Sequence, residues 1–201
     1  MAFLKTLGRH FRREIRPIQG LWLLAILLSV VAPWIAHSEP PGPPSAEYQV
    51  KAVFLFNFAQ FVQWPTKAFA DEKTPFVIGL LGTDPFGAYL DRLTAGEKIG
   101  SRSFVVERYR SFEDIPTRCQ ILFISRSETG QLDQILHRLK GRSVLTVSDA
   151  EDFNRSGGMI RFVTENGKIR LRVNVMEAKE SGLTISSKLL RPATIVTREK
   201  G

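Results

Sequence analysis

Three short runs, FVIGLL at residues 76–81, ILFIS at 121–125 and SVLTV at 143–147, are apolar almost from end to end, and helically patterned segments separate them. A strand with one wet face alternates polar and apolar residues, whereas a strand covered on both faces does not. Strands of the second kind, joined through helices, require a mostly parallel sheet flanked by helices on both faces. The predicted order is helix 47–63, strand 76–81, helix 86–93, strand 103–109, strand 121–125, helix 129–139 and strand 143–147. The first helix should stop at Trp64, because Pro65 disfavours helical geometry in the residue before it. No internal repeat is visible. The expected fold is a single α/β domain, in keeping with 201 residues of which 43% are hydrophobic and 24% charged.

A different pattern follows. Residues 159–165 and 168–173 flank Asn166-Gly167, a strong signal for a two-residue hairpin turn. That turn places Phe162 opposite Leu171 and Ile160 opposite Val173 on an apolar face. The other face carries Arg161 opposite Arg172, Val163 opposite Arg170, and Glu165 opposite Lys168. The fold should therefore end in a C-terminal antiparallel β-hairpin. Like charges directly across a strand pair are unfavourable, so Arg161, Arg170 and Arg172 suit either a solvated basic face or an acidic partner surface.

The first helix is anomalous. Between Ala52 and Val62 only Asn57 and Gln60 are polar, and Phe54, Phe56, Phe58 and Phe61 point around the whole circumference. A helix apolar on all sides is expected to be buried on all sides. Its cover is either the C-terminal segment of the same chain or a second chain. Phe54, Asn57, Phe58, Phe61 and Trp64 are the candidate dimer or partner residues, since aromatic side chains dominate interface energetics.

Residues 1–38 read as a secretory signal: Lys5, Arg9, Arg12, Arg13 and Arg16 against Glu14, then the apolar run 21–32, then Ala36-His37-Ser38 before the expected cut. The apolar stretch is shorter than a bilayer requires and is interrupted by Pro33; retention as an anchor is the alternative to cleavage. Removal of this segment leaves 23 basic against 19 acidic residues, a net charge of +4 in place of +8. Residues 39–45 form a proline-rich linker. The domain then spans 46–201. Export and the modest charge of the exported part argue against nucleic-acid binding.

Catalytic chemistry has little to work with, and no enzyme is expected. Cys119 alone builds neither an intramolecular disulfide nor a multi-cysteine metal site, and it reads as a buried structural thiol. The one histidine of the domain, His137, fits a surface or hydrogen-bonded position. Nucleophile-elbow, zinc-protease and phosphate-loop motifs are absent from the sequence, and no cofactor is expected. Ligands of parallel sheets bind beyond the carboxyl ends of the strands. Asp84, Ser125, Arg126, Ser148 and Asp149 stand at those ends, where they can hold a small anion or amino acid, or serve as ordinary caps. Asp84 is expected to cap the helix that follows it.

The run EYQVKAVFLFNFAQFVQWP at 47–65 resembles the opening signature of the YfiR/HmsC-like family of bacterial periplasmic proteins. CQILFIS at 119–125, VLTVSD at 144–149 continuing to GGMI at 157–160, and SSKLL at 186–190 agree with it in order. The resemblance covers about residues 46–197. It implies a non-enzymatic regulator in the periplasm of a Gram-negative bacterium, dimeric and α/β. It also implies binding to the periplasmic sensor domain of an inner-membrane diguanylate cyclase or sensor kinase, with no stable membrane insertion once the signal is cleaved. Repression of a cyclase would lower cyclic-di-GMP and biofilm formation. Some members carry paired cysteines, a switch that Cys119 alone cannot reproduce. The alternative reading is a small-ligand sensor or solute-binding protein that uses the strand-end loops.

Overall fold

The computed structural model describes residues 44–197. The expected signal segment and all of the linker before Pro44 lie outside the described residues. From there the chain forms α1 (Ala46–Phe61), β1 (Val62–Gln63), β2 (Phe76–Leu81), α2 (Ala88–Thr94), β3 (Lys98–Ile99), β4 (Arg102–Tyr109), β5 (Ile121–Ile124), α3 (Leu132–Leu139), β6 (Leu145–Ser148), β7 (Ile160–Glu165), β8 (Lys168–Val173), α4 (Val175–Glu180), β9 (Thr184–Ile185), α5 (Ser187–Leu190) and β10 (Thr194–Ile195). Eight strands make one mixed sheet in the order β10-β8-β7-β6-β5-β2-β4-β3. Its centre is parallel from β4 through β7, and β7 and β8 form the antiparallel hairpin. The α/β class, the parallel centre and the hairpin all agree with the reading of the sequence.

The apolar runs are central strands, as their composition requires. Every residue of β2, β5 and β6 is buried. Alternate side chains feed two cores on opposite faces. Phe76, Ile78, Leu80, Ile121, Phe123, Leu145 and Val147 join α1, α2 and the C-terminal elements on the first face. Val77, Leu81, Leu122 and Ile124 meet Leu132, Ile135, Leu136 and Leu139 of α3 on the second. The chain runs from β2 through α2 to β4, and from β5 through α3 to β6, so the direction of winding reverses between β2 and β5. Helices on opposite faces follow from that reversal.

The hairpin has the register set by its turn: Ile160↔Val173, Arg161↔Arg172, Phe162↔Leu171, Val163↔Arg170 and Glu165↔Lys168. Asn166 and Gly167 both take positive φ, 52° and 71°, as a two-residue turn of this kind demands.

Several boundaries differ from expectation for local reasons. The helix expected over 129–139 begins as a 3-10 turn, Arg126–Gln131, and becomes α-helical only at Leu132. The helix expected from residue 86 begins at Ala88, with Gly87 as its N-cap. Asp84 is therefore a turn-former rather than that helix's cap: its Oδ1 accepts from the backbone N–H groups of Phe86 at 2.7 Å and Gly87 at 3.1 Å. The C-terminal segment, ambiguous in sequence, holds both kinds of structure. β9 pairs with β1, α5 ends at Leu190 with Arg191 as its C-cap just before Pro192, and β10 joins the main sheet beside β8.

Candidate functional site

α1 carries the first candidate surface, and its placement begins at its amino end. Ser45 caps the helix by accepting from the Tyr48 N–H, and Glu47 occupies the first turn. One turn on, Lys51 is 1% exposed. Its Nζ lies 2.5 Å from Glu47 Oε1 and 2.6 Å from Asp149 Oδ2, and 4.4 Å from the Tyr48 ring centroid. The Tyr48 hydroxyl donates to the same Asp149 oxygen at 2.9 Å. Asp149 Oδ1 has Arg126 Nε at 3.2 Å, an ion-pair distance at which the N–H is not aligned for a hydrogen bond. Thr164 of β7 donates to Glu47 at 3.1 Å.

This cluster pins α1 to the carboxyl end of β6 and to the hairpin. Burying an ammonium is costly unless its partners hold it with good geometry, and here two carboxylates do. The hydrogen bond from Lys51 holds the Glu47 carboxyl below its ordinary pKa, against the opposing effect of burial. Burial first, then the charge of Asp149, pushes the Tyr48 phenol up to about 12. Tyr48 is therefore a neutral donor throughout the physiological range.

Beyond the clamp, the aromatic residues divide. Phe58 is fully buried, and its ring stacks 6.0 Å from that of Phe162. Phe54 and Phe61 are half-buried against the same core, as is Trp64, whose Nε1 donates to the Gln120 carbonyl at 3.1 Å. Phe56 packs on Phe104 of β4, with centroids 5.0 Å apart. β9, held to β1, covers the carboxyl end of α1, and the Ser186 N–H reaches the Phe61 carbonyl at 2.8 Å. The helix is nonetheless not buried on every side. Val50 is 45% exposed and Val53 38% exposed. With Ala46 and Gln60 exposed and Asn57 half-buried, they form an outward stripe at helical spacing. Phe58 thus serves the core, and the valines are what α1 offers to solvent.

The second candidate surface is the hairpin. Arg170 is exposed, while Arg161 and Arg172 are half-buried. Arg172 lies 3.5 Å from Glu165 Oε1. Burial, and then the neighbouring Arg172, lower the pKa of Arg161.

The strand-end residues are engaged with their own chain. The Ser148 hydroxyl donates to the Ile124 carbonyl at 2.7 Å and accepts from the Ala150 N–H at 3.1 Å. Ser125 caps the 3-10 turn through Ser127 N–H. Arg108 binds Asp84 at 2.7 Å and Asp91 at 2.6 Å. At the switch between β2 and β5, a Cβ on Gly82 would stand 2.3 Å from Ser127 Oγ and 2.5 Å from Glu128 Oε1, and Gly82 has a φ of +86°. Ser127 and Glu128 fill the crevice there. A groove of about 970 Å³ lies elsewhere, between α3 and the loop near Arg155. Cys119 is buried, its Sγ 3.1 Å from the Ile121 carbonyl, and burial pushes its thiol up to about 12. Among the described residues no group of His, Cys, Asp and Glu is placed to hold a metal.

One family profile spans the aromatic first helix and the strand-end loops. The profile described as YfiR/HmsC-like matches residues 48–194. The chain belongs to the YfiR/HmsC-like family. No curated protein matches it. Membership in the YfiR/HmsC-like family indicates a periplasmic regulator of cyclic-di-GMP signalling, regulatory rather than catalytic. No helix among the described residues is long and apolar enough to cross a membrane.

The clamp around Lys51 escaped sequence reasoning, although it carried a signal. A lone cation directly before an apolar helical run must either snorkel or find a carboxylate. Asp149, considered as a ligand residue, is that carboxylate.

Proposed function

We infer that this YfiR/HmsC-like domain acts by docking onto the periplasmic sensor domain of an inner-membrane signalling protein, and that this receptor is a diguanylate cyclase held inactive by the contact. Cyclic-di-GMP and biofilm formation fall as a result. The observation that carries the reading is the outward stripe of α1. Val50 and Val53 face water one turn apart, on a helix that Lys51, Asp149 and Thr164 fix to the sheet. A rigid apolar helix face is a ready anchor for a groove in a partner. Half-buried Phe54 and Phe61 border it, and Arg170, exposed on the other face of the hairpin, adds only long-range charge for steering toward an acidic receptor surface.

The test is retention of the periplasmic receptor from inner-membrane extract, followed by assay of its cyclase activity. Wild-type protein should retain a cyclase and suppress its turnover. Val53→Glu should release it while remaining folded. Retention of no membrane receptor, or suppression unchanged in Val53→Glu, would overturn the reading. Self-association competes for the same stripe, and sedimentation separates the two uses. If the receptor alone uses the stripe, Val53→Glu leaves the sedimenting mass unchanged; if a homodimer uses it, the mass falls to that of one chain.

A further inference from the structure

A cavity of about 390 Å³ opens over the second face of β7 and β8, where the loop near Asn154 and the last described residues, Val196 and Thr197, approach the hairpin. Arg161 and Arg172 enter it from directly opposed positions on the two strands. The cations of the cavity are not equally paired. Arg155 binds Asp152 at 2.8 Å, and Arg172 reaches Glu165 at 3.5 Å. Arg161 has no ion pair or hydrogen bond among the described residues, and its Nε is buried without a partner. Asn154 is 9% exposed. Its Nδ2 donates to the Gly158 carbonyl at 3.0 Å, while its Oδ1 is buried and unpaired.

Among the described residues, two features of Arg161 are unfavourable. A buried guanidinium N–H without an acceptor forfeits the hydrogen bonds it had in water, and a second guanidinium directly across the pair adds repulsion. One anionic acceptor between the strands relieves both. The charge of the lining decides which anion. Arg155 is matched by Asp152 and Arg172 by Glu165, which leaves Arg161 as the one guanidinium of the lining without an ion pair among the described residues, and a single unpaired cation suits a monoanion better than a dianionic phosphate. The planar fork of arginine matches the two oxygens of a carboxylate.

We propose that this cavity is a binding site for a monoanionic carboxylate, held between Arg161 and Arg172. The carboxylate comes either from a free small molecule or from an acidic side chain of a partner. The site stands on this geometry and does not depend on the receptor reading. Glu151, which also lines the cavity, acts as the internal competitor for Arg161.

The Nε–H resonance of Arg161 in the protein purified from its native host reports the contact. Acetate and pyruvate, titrated against chloride at equal ionic strength, should shift it saturably. So should an uncharged-ended peptide carrying one Glu, but not its Gln counterpart. A response to the free acids alone identifies a small-molecule site, and a response to the peptide alone identifies a partner side chain. Arg172→Gln should weaken binding at least about tenfold, the scale of one charge-assisted hydrogen bond, and Glu151→Gln should strengthen it. Arg161→Gln should abolish binding, read by calorimetry. If that variant does not fold, Arg172→Gln carries the same test. No saturable shift with any carboxylate, or equal binding in Arg172→Gln, would overturn the proposal.

Discussion

α1 and α3 cover opposite faces of the same sheet and do so in opposite ways. α3 turns Leu132, Ile135, Leu136 and Leu139 inward and leaves Asp133, Gln134, His137 and Arg138 in water. α1 turns Ala52, Leu55, Phe58 and Ala59 inward as well, but it buries a cation, Lys51, beside them and leaves Val50 and Val53 outside. A helix that only covers a sheet needs the α3 pattern. The ionic clamp inside α1 and the valines outside it are the pattern on which the proposed receptor contact rests.

The sharpest division is between side chains that hold α1 and side chains that α1 presents. Phe58→Ala empties a position stacked on Phe162 and should cost about 4 kcal/mol in urea unfolding. A loss below about 1 kcal/mol would return Phe58 to the list of surface residues. Asp149→Ala should cost about 3 kcal/mol, because Lys51 then stays buried with only Glu47 for a partner. If α1 amide exchange stays as slow as in wild type, the clamp is not what fixes the helix. Leu136→Ala on α3 should cost about 2 to 3 kcal/mol and leave receptor binding by the folded fraction intact, which is what separates the two faces.

Acid sharpens the comparison further. The Glu47 pKa is lowered in the folded state, so its contribution is fully present above the ordinary value near 4.5 and is lost as pH falls through the lowered folded value. α1 should therefore loosen before α3 on acidification, by amide exchange, and Glu47→Gln should flatten that part of the profile. The smallest stability effect belongs to the stripe itself. Val53→Glu should change unfolding free energy by no more than about 0.5 kcal/mol, as expected of an exposed position, while its receptor binding is lost.

Legibility in the sequence followed how locally each feature is determined. The hairpin register was readable in full, because a two-residue turn and two alternating strands leave one pairing that buries Ile160, Phe162, Leu171 and Val173 together. The central strands were readable because burial on both faces forces continuous apolar runs. The outward side of α1 was not, since a helix apolar all round has no periodicity to show which side meets water. Nor was the filling of the β2–β5 crevice, which depends on where Ser127 and Glu128 place their side chains. Residues 183–196 defeated pattern reading because β9, α5 and β10 are each only two to four residues long, too short for either periodicity to register.

If the outward stripe of α1 is the receptor-binding face, crosslinks to the receptor should form there and not on α3. A photo-crosslinking residue placed at Val53 in living cells, with one at Gln134 on α3 as the matched control, tests it most directly. The Val53 probe should capture a membrane diguanylate cyclase through its periplasmic domain, and the Gln134 probe should not. Equal capture from both helices, or capture from α3 alone, would contradict it.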